Sequence, residues 1–240
     1  MILSNHESRI TNHGFFVTGT DTGVGKTLIA CALLHAFTER GLKAVGMKPV
    51  ASGGEPGAGG LVNDDVEQLI AAGNVAAPRA DVNPYCFAPP IAPHIAAQRA
   101  GVAIALDRIE QSYRRLAARA QVVVVEGVGG FQVPLGPDAD TAQLAGRLAL
   151  PVVLVVGMRL GCLNHALLTA QAVADRELTL AGWVANHLDP QMAAADDNVR
   201  ALEERIAAPL IARISHAPAP DARSIAGALD VAKLGSSVRS

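Results

Sequence analysis

Gly25, Lys26 and Thr27 close the run FFVTGTDTGVGKT, Phe15 to Thr27, and stand directly before the apolar stretch LIACALL. Residues of these types can hold a polyphosphate. Backbone N–H groups of a glycine turn face the phosphate oxygens, the lysine reaches the β and γ oxygens, and the threonine hydroxyl ligates Mg²⁺. The nucleotide-binding candidates are therefore Gly23, Val24, Gly25, Lys26 and Thr27. The spacing is a variant: the usual pattern has a glycine five residues before Gly25, where this chain has Thr20, and Gly19 comes one position earlier. A dinucleotide-binding turn is the competing explanation. It is set aside because Gly23 and Gly25 are followed by Leu28 where a third small residue is expected.

Three further polar residues follow apolar runs. Lys48 comes after AVGM, Glu126 after VVVV and Asn186 after GWVA. Open α/β sheets bind ligands beyond the carboxyl ends of their strands, so each would emerge in one crevice. Any one of them alone is equally compatible with a solvated strand end. Glu126 begins EGVGG, where a carboxylate could take Mg²⁺ opposite Thr27. Asp64 and Asp65 open NDDVEQLIAAG, where they either serve the start of a helix or supply another metal oxygen; spacing does not choose between them. In GMRLGCLNHALLTAQ, Gly157 to Gln171, the N–H groups of Gly161 to Leu163 and the Asn164 amide would suit a carboxylate. A plain loop with an Asn cap is the alternative. Cys162 has no evident base partner and reads as a small buried residue; His94 and His165 lack ligand-like spacing and read as structural or substrate-packing groups.

The elements that must position these residues alternate along the chain. Strands are expected at 15–18, 44–47, 122–125, 152–156, 180–185 and 210–214, and several are apolar at every position, as in a central parallel sheet buried on both faces. Helices are expected at 28–40, 107–120 and 163–177. The fold expected is a single-domain α/β P-loop NTPase-like fold, with a mostly parallel central sheet and helices on both faces. Two stretches look irregular: ASGGEPGAGG, Ala51 to Gly60, as a mobile loop, and the four-proline NPYCFAPPIAPH, Asn83 to His94, as neither helix nor central strand.

The 240 residues, half of them hydrophobic, fit one domain, expected over 14–235 after a loose N-terminal extension, 1–13. A formal net charge of -2 offers no general attraction to nucleic acid or an anionic membrane. Cys31, Cys86 and Cys162 are too scattered for a disulfide framework or a zinc site. With no signal-peptide core or membrane-length apolar run, a cytoplasmic protein is expected.

Taken together, FFVTGTDTGVGKT, GMKPVASG, NPYCF, PHIAA, VVVEGVGG, PVVLVVGMRLGCLNHALLTAQ and LAGWVAN resemble the dethiobiotin synthetase family, in order, from about Phe15 to Pro209. The resemblance implies a homodimer that uses ATP, Mg²⁺ and CO₂, or bicarbonate as its source, to close the ureido ring of dethiobiotin on 7,8-diaminononanoate. It implies a carbamate, then a carbamic-phosphoric anhydride, then ring closure. By the same resemblance Lys26 and Lys48 stabilise charge on the γ-phosphate and the carbamate, while Thr22 and Ser52 contact the reacting end of the substrate. Thr27, Asp65 and Glu126 hold Mg²⁺, and Asn186 reads the adenine edge. The substrate carboxylate rests on Gly161, Cys162, Leu163 and Asn164 of the neighbouring subunit.

Two features depart from the family. Gly23 stands where many members carry an acidic residue, and ISHAPAPDARS lacks the Ile-Pro step expected beside the base. Both leave nucleotide selectivity open. An ATP-dependent switch of the partitioning or Min type shares the strand, loop and helix, but has a second lysine where this chain has Asp21. The tail GALDVAKLGSSVRS also lacks a basic amphipathic face. A cobyrinate-type amide synthetase would need a glutaminase domain for which this chain has no room.

Overall fold

The computed structural model of the chain describes residues 13–236. The expected extension therefore lies outside the described residues except for His13, which opens β1 (His13–Gly19). There follow α1 (Lys26–Thr38), β2 (Ala44–Met47), β3 (Val50–Ser52), β4 (Glu55–Gly57), β5 (Gly60–Val62), α2 (Asp64–Ala72) and α3 (Arg79–Val82). The middle of the chain holds β6 (Tyr85–Phe87), α4 (Pro93–Arg99), α5 (Leu106–Ala117), β7 (Val122–Glu126) and α6 (Thr141–Leu148). It ends with β8 (Val152–Met158), α7 (Cys162–Asp175), β9 (Leu180–His187), α8 (Ala195–Glu203), β10 (Leu210–Ile214), α9 (Ala222–Ala226) and α10 (Ala232–Ser236).

Six strands form one sheet in the order β10-β9-β8-β1-β7-β2, and every pairing in it is parallel. The continuous apolar runs follow from burial on both faces. Val17 and Val124 pack with Ile29, Leu33 and Phe37 of α1; Phe16, Val123 and Val125 face the opposite way onto Ile109 and Leu116 of α5 and Leu144 of α6. A third cluster gathers Trp183, Leu154 and Val156 under α7 and α8. Because β7 lies between β1 and β2, the loops leaving β1 and β7 open side by side at the carboxyl edge. Among the described residues no helix is long and apolar enough to cross a membrane.

The six expected main strands and three expected helices are all present, with ends displaced by up to three residues. The stretch 51–60 is not the irregular loop its composition implies. Ser52 ends β3, which pairs in parallel with β6, and Glu55–Gly57 pairs with Gly60–Val62 as an antiparallel hairpin. Glycines serve the turn of this hairpin and its prolyl residue sits at an exposed edge, where a missing N–H is harmless. The four-proline stretch likewise holds the short strand β6, in a two-stranded ribbon outside the main sheet, and its last proline occupies the first turn of α4.

Candidate active site

The chain leaves β1 at Gly19 and enters α1 at Lys26, so the intervening loop wraps the helix N-terminus. Gly25 is the N-cap, at φ 92, and a Cβ there would meet Asn186 Nδ2 at 2.4 Å. Only glycine satisfies both the left-handed backbone and that contact. No side chain caps α1, so its first-turn N–H groups keep the partial positive charge that draws an anion. The loop is held from three sides. Thr20 N–H donates to Val155 O at 3.0 Å, Asn186 Nδ2 to Val24 O at 2.9 Å, and Lys26 Nζ to Asp21 O at 2.8 Å.

The neighbouring strand ends complete the site. Val17 of β1 is in register with Glu126, and Met47 of β2 with Val125, so Lys48, one residue beyond Met47, comes opposite Glu126. Lys48 Nζ donates to Glu126 Oε1 at 2.5 Å and to Asp65 Oδ2 at 2.8 Å. Thr27 Oγ1 donates to the same Glu126 Oε1 at 2.9 Å. Asp65 reaches Lys48 from the first turn of α2, whose N-cap is Asn63 and not either aspartate. Asp65 thus stands in the acidic first turn of α2 and also reaches the cleft, so its place at the helix start and its place at the site coincide; Asp64 is exposed.

Burial governs the protonation of this cluster. It pushes Lys26 down to about 8, with the neighbouring Lys48 charge acting in the same direction. Burial would also lower Lys48, but Glu126 and Asp65 outweigh it and hold the ammonium above the ordinary lysine value. Glu126, 1% exposed, is raised by burial despite Lys48. Burial would likewise raise Asp65, yet the charge and hydrogen bond of Lys48 keep it low.

These groups line a cleft of about 820 Å³ that also includes Thr22, Gly23, Ser52, the 90–93 turn and Val128 to Gly130. Two buried acceptors in it have no hydrogen-bond partner, Ser52 Oγ and Glu126 Oε2. Among the described residues no cluster of three His, Cys, Asp or Glu side chains is arranged for a metal. Thr27, Asp65 and the unpartnered Glu126 Oε2 are nonetheless hard oxygen donors beside a phosphate loop. That set fits Mg²⁺, which binds through one or two carboxylates and completes its shell with phosphate and water.

Lys26, Thr27, Lys48, Ser52, Thr22, Asp65 and Glu126 are thus brought together. Asn186 is buried behind the loop, its amide donor engaged by Val24 O. Gly161 to Asn164 do not line the cleft. Gly161 caps α7 at φ 95, Cys162 is buried, Asn164 is exposed, and the Cys162 N–H already donates to Arg159 O at 3.0 Å. The carboxylate site expected there therefore keeps one fewer backbone donor. The buried Cys162 thiol is pushed up by desolvation, in keeping with a packing role. Sequence reasoning did not single out Arg159, whose guanidinium meets Asp21 Oδ2 at 2.5 Å. Its signal was available, since it too is a charged residue just past an apolar strand.

Comparison with known proteins agrees with this architecture. The MinD cell division protein of Aquifex aeolicus superposes with a TM-score of 0.52 at 14% identity, covering 86% of this chain and 83% of its own. A ParA family ATPase from Chlorobium tepidum gives 0.52 at 13% identity, covering 87% and 85%. At such identities the likeness speaks for the fold, which is the α/β P-loop fold. A family model described as an AAA domain matches residues 13–224. An ATP-dependent dethiobiotin synthetase from Nitrosospira multiformis is 54% identical over 93% of this chain and 97% of its own length. Its counterpart from Aromatoleum aromaticum is 54% identical over 90% and 96%. With relatives this similar along nearly its whole length, the chain belongs to the family of ATP-dependent dethiobiotin synthetases.

Proposed function

We propose that the cleft closes the ureido ring of dethiobiotin on 7,8-diaminononanoate, consuming CO₂ and ATP. The observation that carries this is the buried Lys48 ammonium, held by two carboxylates next to a phosphate loop and in one cleft with the unpartnered Ser52 hydroxyl. A fixed cation between a nucleotide site and a small polar pocket suits an oxyanion that must attack a γ-phosphate.

In this mechanism one substrate amine adds to CO₂, forming an N–C bond and losing a proton, to give a carbamate. Lys48 and Lys26 draw a carbamate oxygen and the γ-phosphate together, and Thr22 and Ser52 orient the reacting end. The carbamate oxygen forms a bond to phosphorus as the bond to ADP breaks. The second amine then attacks the carbamoyl carbon, a proton leaves, and phosphate departs with its electron pair. Mg²⁺ held by Thr27, Asp65 and Glu126 would neutralise charge on the β and γ phosphates. Orienting these reactants can contribute about 7 to 11 kcal/mol. Asn186, behind Gly25, is the group assigned to the adenine edge, through the part of its amide not used by Val24.

The substrate carboxylate would rest on Gly161, Cys162, Leu163 and Asn164 of a second copy of the chain. Their position outside the cleft supports this, as does the exposure of Leu160 and Leu168, 97% and 62%, on the same segment. The working enzyme is then a homodimer of one domain, residues 14–235, and its three free cysteines suit the cytoplasm.

The test is mass spectrometry after incubation with 7,8-diaminononanoate, bicarbonate and MgATP. The expected product carries one carbonyl in place of two hydrogens of the diamine, appears with equimolar ADP, and is absent with Lys48→Ala. ATP turnover at an equal rate without the diamine, and no such product, would overturn the proposal in favour of a switch-type ATPase.

A further inference from the structure

Asp21 is an unexpected residue at a phosphate site. It lines the cleft, and its carboxylate brings negative charge to the approach of a polyphosphate. Its contacts explain why the loop retains it. Oδ1 accepts the Thr22 N–H at 2.7 Å, and the main-chain oxygen accepts Lys26 Nζ at 2.8 Å. The remaining oxygen, Oδ2, receives Arg159 Nη2 at 2.5 Å. Arg159 lies between β8 and α7, where its carbonyl accepts the Cys162 N–H that starts the helix. Two residues earlier, near the end of β8, Gly157 N–H donates to Thr20 Oγ1 at 3.3 Å, so the strand end and the turn after it each hold the loop.

We propose that Arg159 is a positioning residue for the nucleotide: it neutralises Asp21, so that this carboxylate shapes the loop without repelling the phosphates. The inference rests on the phosphate-loop reading of residues 19–27. Lys26 and Lys48 are occupied by Asp21 O and by the two metal-site carboxylates, so Arg159 is the cation that meets the Asp21 carboxylate. Both partners are about half-exposed, so the pair is screened by salt and contributes little to folding. Its consequence belongs to nucleotide affinity.

The experiment titrates Mg²⁺ with the non-hydrolysable analogue AMP-PNP into the full chain and into Arg159→Ala, Arg159→Lys and the double variant Arg159→Ala with Asp21→Asn. Asparagine keeps the acceptor for Thr22 N–H and drops the charge. Arg159→Ala is expected to bind about three- to fivefold more weakly, the scale of a half-exposed charge pair, with KM for ATP rising in step and kcat within twofold. Lysine should recover most of the loss, the double variant all of it, and raised salt should narrow the difference. Arg159→Ala binding as tightly as the parent, or a double variant no tighter than the single one, would overturn the proposal. Lys26→Ala separates the two ideas. If it binds AMP-PNP as tightly as the parent, the phosphate-loop reading fails and takes the inference with it; if it alone loses binding, only the Arg159 inference fails.

Discussion

Lys48 and Glu126 meet in the interior, 4% and 1% exposed, and so each is costly without the other. Replacing one partner of a buried pair costs about 3 to 5 kcal/mol because the remaining charge is stranded. Lys48→Met is therefore expected to lower unfolding free energy by about that amount at neutral pH in urea titrations, and Lys48→Met with Glu126→Gln to restore much of it. The sign with pH follows from the raised carboxyl of Glu126. A group held above its unfolded value supports the fold at low pH and withdraws support as pH rises through its folded value, so the single variant should recover on acidification. Lys26 behaves oppositely, because its folded value is about 8 against 10.5 for the ordinary lysine. Between these values the unfolded chain holds the extra proton, so its burial cost is fully present below about 8 and relieved as pH rises through that window. Nucleotide phosphates favour the charged form, so calorimetry in buffers of different ionisation enthalpy should find proton uptake on MgATP binding near pH 8.5, and almost none near pH 6.5.

At the scale of elements, β9 and the loop after β1 act as one unit. Asn186→Ala would leave the Val24 carbonyl without its amide donor and open space beside Gly25. A loss of about 1 to 3 kcal/mol in denaturant unfolding is expected, together with weaker nucleotide binding; unchanged values for both would show that the loop holds its shape alone. The six parallel strands were legible because Val122 to Val125 or Val152 to Val156 are apolar at each step, a pattern that only burial on both faces explains. The hairpin within 55–62 was not. Its glycines and proline weigh against strand, and the pairing of Glu55 with Val62 depends on turn geometry that composition does not carry. The candidate site was legible as strand ends that open into one crevice. The ion pairs within it were not, since Lys48 meets carboxylates 17 and 78 residues away through sheet order rather than local spacing.

Across the whole molecule, Gly161 to Asn164 at the α7 N-terminus do not line the phosphate cleft of their own chain, and the proposed chemistry needs both. A second copy supplies the missing half if the face carrying Leu160 and Leu168 is shared between subunits. Leu168→Glu puts a charge on that face. Sedimentation should find it monomeric, with AMP-PNP affinity retained and KM for the diamine raised by tenfold or more, about 1.4 kcal/mol. A dimer with unaltered diamine kinetics would separate the face from the substrate site. The most direct test of the account as a whole follows one oxygen atom. Freshly dissolved CO₂ labelled with ¹⁸O is mixed with the enzyme, diamine and MgATP, and the released phosphate is analysed by mass spectrometry. If the cleft phosphorylates a carbamate, each phosphate carries one labelled oxygen from CO₂; phosphate that gains its oxygen from water instead would contradict the mechanism.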